Sequence, residues 1–477
     1  MRQAEMNLEN LTILPSRMIL RRNADNFSTL FLGNDVRYKL NNFATDILKY
    51  LILKLSEDFK ITLCEMSSEL NQPINSVATF IEELEKLGIL GFNFKPIMPP
   101  QGLGKRIRCV DNKSPISLEW LITGCCDSNC CYCIYDKYRM ENGKELSTSE
   151  ALSLVREIAD SGVINVTLSG GEPLLRKDIV EIIRAFYEFG INIRLDTNGI
   201  NLTKRLLDNL LSFQDTLKIS ISIDSLDPET NDKIRGFVGC TSRVIQNIAK
   251  IKDYGIYTNI STVLTKLNAN IPTMIKLCNF LVDIKVEEWT IAFVRPFGKG
   301  WDNWESIGLF AEDVPELTFK LMDLSKEINR PRINFIANPA SLEQLVQDNN
   351  FNFQFLRICE DCQGEGFLSV KPTGDIHTCL FLPNHLTKVG NVREASVIDL
   401  WNKAKRTFPL EHLSFSSMAE KCLSCPYLVF CKGGCRANAL QTQGSLNECD
   451  ILTRDRIEIA KLWLSNGRPE IKNLSNI

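Results

Sequence analysis

The chain has 477 residues, of which 44% are apolar and 24% charged, and its net charge is −3. This balance is typical of a globular protein of roughly two to four domains, and it counts against a general nucleic-acid binder, which usually has a basic excess. The first residues lack the basic and then apolar layout of a signal peptide, and no stretch approaches the ~20 apolar residues of a membrane span. We therefore expect a cytoplasmic protein.

The 17 cysteines are concentrated in two stretches, 125–133 and 359–449. A disulfide framework belongs to secreted proteins, usually small ones, and the cysteine count is odd. In a reducing compartment such groups of cysteines point to metal binding. Because the chain has only 3 histidines, the ligands would be mostly thiolates, which favours iron–sulfur clusters or zinc.

Residues 1–97 predict a small winged-helix-like domain. Short apolar runs broken by polar residues indicate small strands, and helical patterns follow near 41–56, 60–71 and 73–88. The segment has 11 Lys and Arg against 12 Asp and Glu, which counts against DNA binding. Peptide capture by strand addition to a sheet edge is the alternative function, and a purely structural cap also stays open. Residues 98–114, which begin rich in Pro and Gly, are interpreted as a linker.

Residues 115–330 alternate between strand-like and helical patterns, which predicts a parallel sheet with helices packed outside it. The first helix has a capping box of Ser147 and Glu150. Six units are too few for a closed eight-stranded barrel, so we predict an α/β fold, a partial (β/α)6 barrel of the TIM type, with its site at the C-terminal ends of the strands. The strands are expected near 116–122, 163–169, 191–196, 217–224, 257–264 and 287–294.

A cysteine loop follows the first predicted strand, with the spacing Cys126-x3-Cys130-x2-Cys133. Such a loop can place three thiolates on three irons of a [4Fe-4S] cube, which takes four ligands in full. One iron would then keep an open position, as catalytic metal sites do. The neighbouring Cys125 and Cys131 have spacings that suit no common site, and we interpret them as bystanders. From the spacing alone, a zinc knuckle or a group of free thiols remains possible.

This loop, with the aromatic Tyr132 before its third cysteine, resembles the cluster loop of the radical S-adenosylmethionine (SAM) enzymes. In that family SAM chelates the open iron, and an electron from the cluster releases a 5′-deoxyadenosyl radical. The Gly-Gly-Glu-Pro sequence after the second strand and the Thr-Asn-Gly turn after the third are similar to the family's SAM-binding motifs. For each of these sites a strand-end turn or a surface charge pair is the alternative. The residues that the resemblance assigns to SAM are Tyr132, Gly170, Gly171, Glu172, Pro173, Asn198, Ser222, Asp224 and Arg235.

Residues 331–452 contain the second cysteine array, whose pattern (Cys, Gly-x4-Cys, C-x2-C-x5-C-x3-C, Cys) resembles the SPASM extension of radical SAM enzymes. The resemblance implies two auxiliary [4Fe-4S] clusters, while two zinc sites are the alternative reading of the spacing. Leu380 stands where sulfatase-maturing members have an Asp that serves as a base, so formylglycine formation loses support. One implied cluster would use Cys359, Cys362, Cys379 and Cys435, and the other Cys422, Cys425, Cys431 and Cys449.

The first domain looks like the small peptide-chaperone domain of pyrroloquinoline quinone biosynthesis, which recurs in peptide-modifying enzymes as a leader-recognition element. The chain thus resembles a radical SAM/SPASM peptide maturase, ending in a C-terminal helix and tail at 453–477. The resemblance implies SAM and three [4Fe-4S] clusters as cofactors, with Cys126, Cys130 and Cys133 as the catalytic ligands. A precursor peptide and an electron donor, either a reductase or a protein of flavodoxin or ferredoxin type, would be the partners.

The expected reaction is thioether or carbon–carbon crosslink formation in a ribosomally made peptide. One alternative is a radical SAM/SPASM enzyme that acts on a small molecule or cofactor precursor of porphyrinoid or quinone type, which would need no leader peptide. The other is a non-enzymatic zinc-binding regulator, which would be colourless and would not cleave SAM.

Overall fold

The computed structural model describes much of the chain, and the account below is restricted to that part. The described residues are 12–13, 18–22, 28–32, 36–56, 63–87, 89–91, 107–110, 115–136, 143–309, 315–336, 367–407, 418–425, 434–450 and 452. Three of the predicted cluster ligands, Cys359, Cys362 and Cys431, lie outside these residues, as does the predicted C-terminal helix and tail.

The N-terminal region combines small sheets with three helices, at the places where the sequence predicts helices. Strands β2, β3, β4 and β6 form a four-stranded sheet in the order β4-β3-β2-β6, and β1 pairs with β5. Residues such as Ile47, Leu51 and Ile81 form a separate apolar core between the helices. The elements are β1 (Thr12–Ile13), β2 (Met18–Arg22), β3 (Ser28–Leu32), β4 (Val36–Leu40), α1 (Asn42–Ser56), α2 (Leu63–Glu69), α3 (Ile74–Lys86), β5 (Leu90–Gly91) and β6 (Ile107–Val110).

Part of the segment predicted to be a linker is instead a strand. Residues Ile107–Val110 form β6, which pairs in parallel with β2 and extends the N-terminal sheet. The Pro- and Gly-rich stretch ends at Gly104, and the four residues of β6 include the β-branched Ile107 and Val110, which favour strands. The N-terminal sheet therefore includes a strand from just before the central domain.

The central domain is built on a ten-stranded sheet in the order β13-β12-β11-β10-β9-β8-β7-β14-β15-β16. All six predicted strands are present, and β13 and β14 add a further parallel strand at either side of them. The parallel strands are β7 (Ser117–Thr123), β8 (Asn165–Gly170), β9 (Asn192–Thr197), β10 (Leu217–Ser222), β11 (Thr258–Leu264), β12 (Glu288–Phe293), β13 (Arg332–Ile336) and β14 (Phe367–Val370).

Helices connect the parallel strands, and their apolar faces pack on the sheet. The first of them begins with the predicted capping box, since Ser147 and Glu150 bond each other's backbone N–H groups. Trp120 of β7 meets Phe186 edge to face, with 6.4 Å between the ring centroids. The helices are α4 (Thr148–Ser161), α5 (Ile179–Glu188), α6 (Lys204–Leu210), α7 (Pro228–Arg235), α8 (Cys240–Asp253), α9 (Ile271–Asp283), α10 (Lys299–Asp302), α11 (Trp304–Ile307) and α12 (Pro315–Glu327).

The C-terminal region is joined to the central domain through its first strand. Strand β14 pairs in parallel with β7, so that Leu368 lies opposite Leu118 in the shared sheet. The remaining elements are β15 (Asp375–His377), α13 (Asn384–Thr387), β16 (Lys388–Asn391), α14 (Val397–Thr407), α15 (Glu420–Leu423) and α16 (Arg436–Gln443). Helix α14 contacts α4 of the central domain. None of the described helices has the length and apolar character that crossing a membrane requires.

Candidate active site at the strand ends

A cavity of about 250 Å³ opens at the carboxyl ends of the central strands, and the three cysteines of the predicted cluster motif line it. Cys126, Cys130 and Cys133 come from the loop after β7, and the cavity wall continues with Gly170 and Gly171 at the end of β8. The structure therefore brings the cysteine loop and the Gly-Gly-Glu-Pro turn together, because parallel strands end at the same edge of a sheet.

The Gly-Gly-Glu-Pro turn holds one side of the cysteine loop through its backbone. The N–H of Glu172 donates to the carbonyl of Cys125 at 2.7 Å, and the N–H of Gly171 donates to that of Thr123 at 2.8 Å. A Cβ at position 171 would lie 2.1 Å from the Cys125 carbonyl oxygen, closer than real atoms approach. Glycine is required here because of this close contact between two backbones.

The end of α7 holds the middle of the cysteine loop. The N–H groups of Asn129 and Cys131 donate to the carbonyls of Arg235 at 3.1 Å and Ile234 at 2.9 Å. Gly236 ends the helix with a left-handed φ of 62°, and a Cβ there would lie 2.2 Å from the Asn129 carbonyl oxygen. The helix end and the loop thus fit closely only with glycine at this position.

A third support comes from the segment after β12, which the sequence interpretation missed. The N–H of Lys299 donates to the Cys133 carbonyl at 3.0 Å, and the Asn303 amide donates to the Cys131 carbonyl at 2.8 Å. The Lys299 ammonium also contacts Asn129 and lies 3.2 Å from Asp136. Closely spaced glycines directly after a strand, at 298 and 300, were the signal that could have indicated a close backbone contact.

These three supports fix the backbone of the cysteine loop. Its thiols line one cavity, and its backbone is fixed by bonds that leave no room for Cβ atoms at 171 and 236. Within the described part of the chain no three His, Cys, Asp or Glu side chains converge on a single ion position. A cube differs from a single ion, since its cysteines bind separate irons. The residues present therefore fit such a cluster, with Cys126, Cys130 and Cys133 as its ligands.

Burial raises the pKa of the Cys130 thiol to about 11, and the neighbouring Arg235 guanidinium acts in the opposite direction. Metal ligands must be deprotonated, so binding of the cluster would release a proton from this buried thiol. Cys125 is exposed and Cys131 is half-buried, and neither lines the cavity.

Glu172 lies behind the cavity wall, with its carboxylate bonded to protein groups. One oxygen accepts from the Thr197 hydroxyl at 2.7 Å and from the Leu174 N–H at 3.0 Å, and the other accepts from the Asn198 N–H at 2.7 Å. Burial raises its pKa to about 7 in spite of these bonds. The carboxylate therefore links the Gly-Gly-Glu-Pro turn, which Pro173 continues as a short 3-10 helix, to the Thr-Asn-Gly turn. A direct bond to the SAM ammonium stays a prediction.

Asn198 also lines the cavity, and its side chain ties the third strand to the cysteine loop. Its amide donates to Asp127 at 2.6 Å and to the Ser128 hydroxyl at 3.1 Å. Ser222 lies on the cavity wall with Ser220 of the same strand and Ser261 of the neighbouring strand, and its contact with SAM stays a prediction. The predicted SAM residues Gly170, Gly171, Asn198 and Ser222 are thus brought to one cavity.

Tyr132, Asp224 and Arg235 form a hydrogen-bonded triad beneath the cysteine loop. The Tyr132 hydroxyl donates to Asp224 at 2.7 Å, Arg235 donates to the same hydroxyl at 2.5 Å, and the Arg235–Asp224 ion pair measures 3.5 Å. Tyr132 and Arg235 line the cavity, whereas Asp224 is fully buried and does not. Burial raises the Tyr132 pKa well above its ordinary value, so the hydroxyl stays protonated. The bonds among these three residues fix the loop, and the contact of each of them with SAM stays a prediction.

The described cysteines of the second array fall into two groups. Cys379 and Cys435 are buried in one apolar cluster with Phe297, and Cys422 and Cys449 are buried in another with Met418. Cys425 follows α15, with its N–H donating to the Cys422 carbonyl at 3.1 Å. The pair of Cys379 and Cys435 belongs to one predicted ligand set, and the pair of Cys422 and Cys449 belongs to the other.

Comparison with known proteins agrees with both cysteine regions. Residues 120–278 match the model of the radical SAM superfamily, and residues 359–426 match that of SPASM, an iron–sulfur cluster-binding domain. An AdoMet-dependent heme synthase of Methanosarcina barkeri is 26% identical over 340 residues, which are 70% of this chain and 95% of that protein. A PqqA peptide cyclase of Xanthomonas axonopodis pv. citri is 26% identical over 344 residues, 70% of this chain and 87% of that protein.

The fold is also similar to that of Streptococcus suis SuiB in its crystal structure with the precursor peptide SuiA. The TM-score is 0.68 at 20% identity, and the likeness covers 92% of this chain and 98% of SuiB. The chain carries a radical SAM domain followed by a SPASM domain, and it is a SAM-dependent iron–sulfur enzyme.

Proposed function

We propose that this enzyme modifies a ribosomally made precursor peptide by forming a thioether or carbon–carbon crosslink. The observation that carries the proposal is the extent of the fold likeness to SuiB with its precursor peptide, which covers 92% of this chain. The relative named PqqA peptide cyclase is also a peptide-modifying enzyme by its name. The domain division predicted from the sequence is part of the proposal, with residues 1–97 binding the leader of the peptide.

The sheet of the N-terminal region supports peptide capture. In the order β4-β3-β2-β6, strands β4 and β6 are its two edges among the described residues. An extended peptide can add a strand to such an edge through backbone hydrogen bonds. The leader would be held there while the core of the peptide reaches the cavity at the strand ends of the central domain.

In the cavity the cluster held by Cys126, Cys130 and Cys133 would supply the electron that cleaves SAM to the 5′-deoxyadenosyl radical, which abstracts hydrogen from the substrate. The protein would contribute by orienting SAM and the substrate and by excluding water from the cavity. Tyr132, Asp224 and Arg235 hold the cysteine loop from below, and Glu172 holds the neighbouring turns. A flavodoxin or ferredoxin is proposed as the electron donor.

A porphyrinoid substrate is the second candidate, and the observation that favours it is the relative named AdoMet-dependent heme synthase, at 26% identity. That alignment covers 70% of this chain, whereas the likeness to SuiB covers 92%. The alignment with the PqqA peptide cyclase has the same extent, and the fold likeness to SuiB in complex with its precursor peptide favours the peptide.

Anaerobic reconstitution with iron, sulfide, SAM, dithionite and the short peptide encoded beside the gene tests the proposal. We expect the peptide to lose two hydrogen atoms, as a crosslink requires, and to stimulate formation of 5′-deoxyadenosine. The same peptide without its leader should react far more slowly, and the Cys126→Ala variant should not react. If the peptide leaves the rate of 5′-deoxyadenosine formation unchanged and a porphyrin raises it, the second candidate is correct.

A further inference from the structure

Glu119 lies on β7, and it belongs to neither cysteine region nor the predicted SAM motifs. Its side chain lines the same cavity as Cys126, Cys130 and Cys133. One carboxylate oxygen, Oε1, accepts hydrogen bonds from the Tyr135 hydroxyl at 2.7 Å and from the Ser169 hydroxyl at 2.9 Å. These two donors fix the orientation of the carboxylate.

The second oxygen of Glu119, Oε2, accepts no hydrogen bond from the described residues. The other carboxylate on the cavity wall, Asp196, is paired with Arg194 at 2.6 Å. Arg194 also donates to the Ser220 hydroxyl, at 3.1 Å. Glu119 is therefore the carboxylate of the cavity wall that has no ion-pair partner within the described part of the chain.

The two arginines that line the cavity are in contact with other groups. Arg235 is held by Tyr132 and Asp224, and Arg295 stacks on the Phe381 ring with its guanidinium carbon 5.4 Å from the ring centroid. Arg194 stabilises the Glu119 charge only through space, because its own hydrogen bonds go to Asp196 and Ser220, so a carboxylate partly withdrawn from water gains further from a cationic ligand. A charge-assisted hydrogen bond to a bound cation would satisfy Oε2, the carboxylate oxygen that has no donor among the described residues.

We propose that Glu119 is a specificity-determining residue, which binds a cationic side chain of the substrate, an ammonium or a guanidinium, through its Oε2 atom. The proposal rests on the proposed function in that the cation belongs to a peptide side chain. In that case the core peptide carries a Lys or Arg at or next to the modified position.

The electrostatic surroundings of Glu119 support this proposal. Burial and the neighbouring Asp196 raise its pKa, while Tyr135, Ser169 and Arg194 act in the opposite direction. The carboxyl group is therefore easier to protonate than an exposed one, and binding of a cation should weaken as the pH falls. Replacement by Gln keeps an acceptor for Tyr135 and Ser169 and removes only the charge.

The first test needs no peptide. Isothermal titration calorimetry of the reconstituted holoenzyme with n-butylammonium chloride, a mimic of the lysine side chain, measures cation binding directly. We expect the Glu119→Gln variant to bind the ammonium roughly tenfold or more weakly than the wild type. The matched variant Glu188→Gln, at an exposed position on α5, should bind it like the wild type. Equal affinity of Glu119→Gln and wild-type enzyme would overturn the proposal.

The second test uses the peptide encoded beside the gene, with each Lys replaced in turn by norleucine and each Arg by citrulline. One replacement should raise KM for the wild type and have no further effect on the Glu119→Gln variant, because the interaction is already absent there. The proposal would be contradicted if, for every replaced Lys or Arg, the effects of the peptide replacement and of Glu119→Gln on KM were additive. If no peptide is modified at all, the proposed function fails, and the n-butylammonium titration still decides the role of Glu119.

Discussion

Glu172 accepts three hydrogen bonds and is still easier to protonate than an ordinary carboxyl group, because it is buried. Its pKa lies near 7 in the folded chain, against 4.5 for an exposed Glu. Between these values the folded state binds more protons than the unfolded state. The free energy of unfolding therefore falls as the pH rises from about 4.5 to about 7, by on the order of 3 kcal/mol from this group, and levels off above.

The first prediction follows from this linkage. The Glu172→Gln variant cannot titrate at this position, so its unfolding free energy should fall less between pH 4.5 and 7 than that of the wild type. Urea denaturation of both proteins across this range measures the difference. Parallel pH profiles for the two proteins would show that the carboxyl group does not titrate in this window.

The buried pair of Asp224 and Arg235 gives the second prediction. Asp224→Asn removes one charge and leaves the Arg235 guanidinium, which is 8% exposed, without its counter-charge. We expect a loss of about 3–5 kcal/mol in the free energy of unfolding, measured by urea denaturation, with a lower iron content after reconstitution. Asp253→Asn, at an exposed position on α8, serves as the control and should change little. Equal stability of the two variants would contradict the role of the triad.

For individual residues, the sequence predicts which ones lie at the site. It predicts less well which partner each of them contacts. Cys126, Cys130 and Cys133 could be chosen from their spacing, since the spacing is local. The bond from Tyr132 to Asp224 joins residues far apart in the chain, and no pattern in the sequence encodes it. The bonds of Arg235 to these two side chains are likewise invisible in the sequence, and its contact with SAM stays a prediction.

Among the elements, the turn between α7 and α8 offers a matched pair of glycines. Gly236 and Gly239 have φ values of 62° and 80°, so that any other residue is strained at both. A Cβ at Gly236 would also meet the Asn129 carbonyl, whereas a Cβ at Gly239 meets nothing within 4 Å. A substitution at Gly239 therefore introduces backbone strain alone, whereas one at Gly236 introduces strain and a clash with the cysteine loop.

The third prediction compares these two glycines. Gly239→Ala should cost about 1–2 kcal/mol of stability through backbone strain and leave iron binding intact. Gly236→Ala should cost more and should lower the iron content after reconstitution, because the cysteine loop must move. Iron analysis and denaturation of both variants give the comparison. If both variants bind iron equally well, the contact with Asn129 does not control the loop.

The strands and helices of the central domain follow from periodicity, because apolar and polar residues alternate in a way that depends on local sequence alone. The capping box at Ser147 was confirmed for the same reason. Strands β13 and β14 were not predicted, since each is short and its place in the sheet depends on partners distant in the chain. The sequence predicts a linker in place of β6 because a Pro- and Gly-rich stretch ends shortly before this four-residue strand.

For the whole molecule, the pairing of β14 with β7 gives the fourth prediction. Leu368 of β14 is fully buried in the core of the central domain. Leu368→Ala should lower the unfolding free energy by about 2–5 kcal/mol and speed hydrogen exchange of the β7 amides. Leu423→Ala, at a position that is 49% exposed in the same C-terminal region, should change the stability by less than about 1 kcal/mol. Unchanged exchange in β7 would show that the two regions are stabilised independently.

The cysteine loop is bonded to residues near 171, 235 and 299, which are translated long after it. Its conformation is thus defined only when most of the central domain has been synthesised and has folded, since long-range contacts form late. Iron delivery during biosynthesis should therefore be a post-translational event, and the nascent chain has to keep its cysteines reduced until then. Overproduction in a host with a limited supply of iron and sulfide is expected to yield folded protein that can still be loaded afterwards.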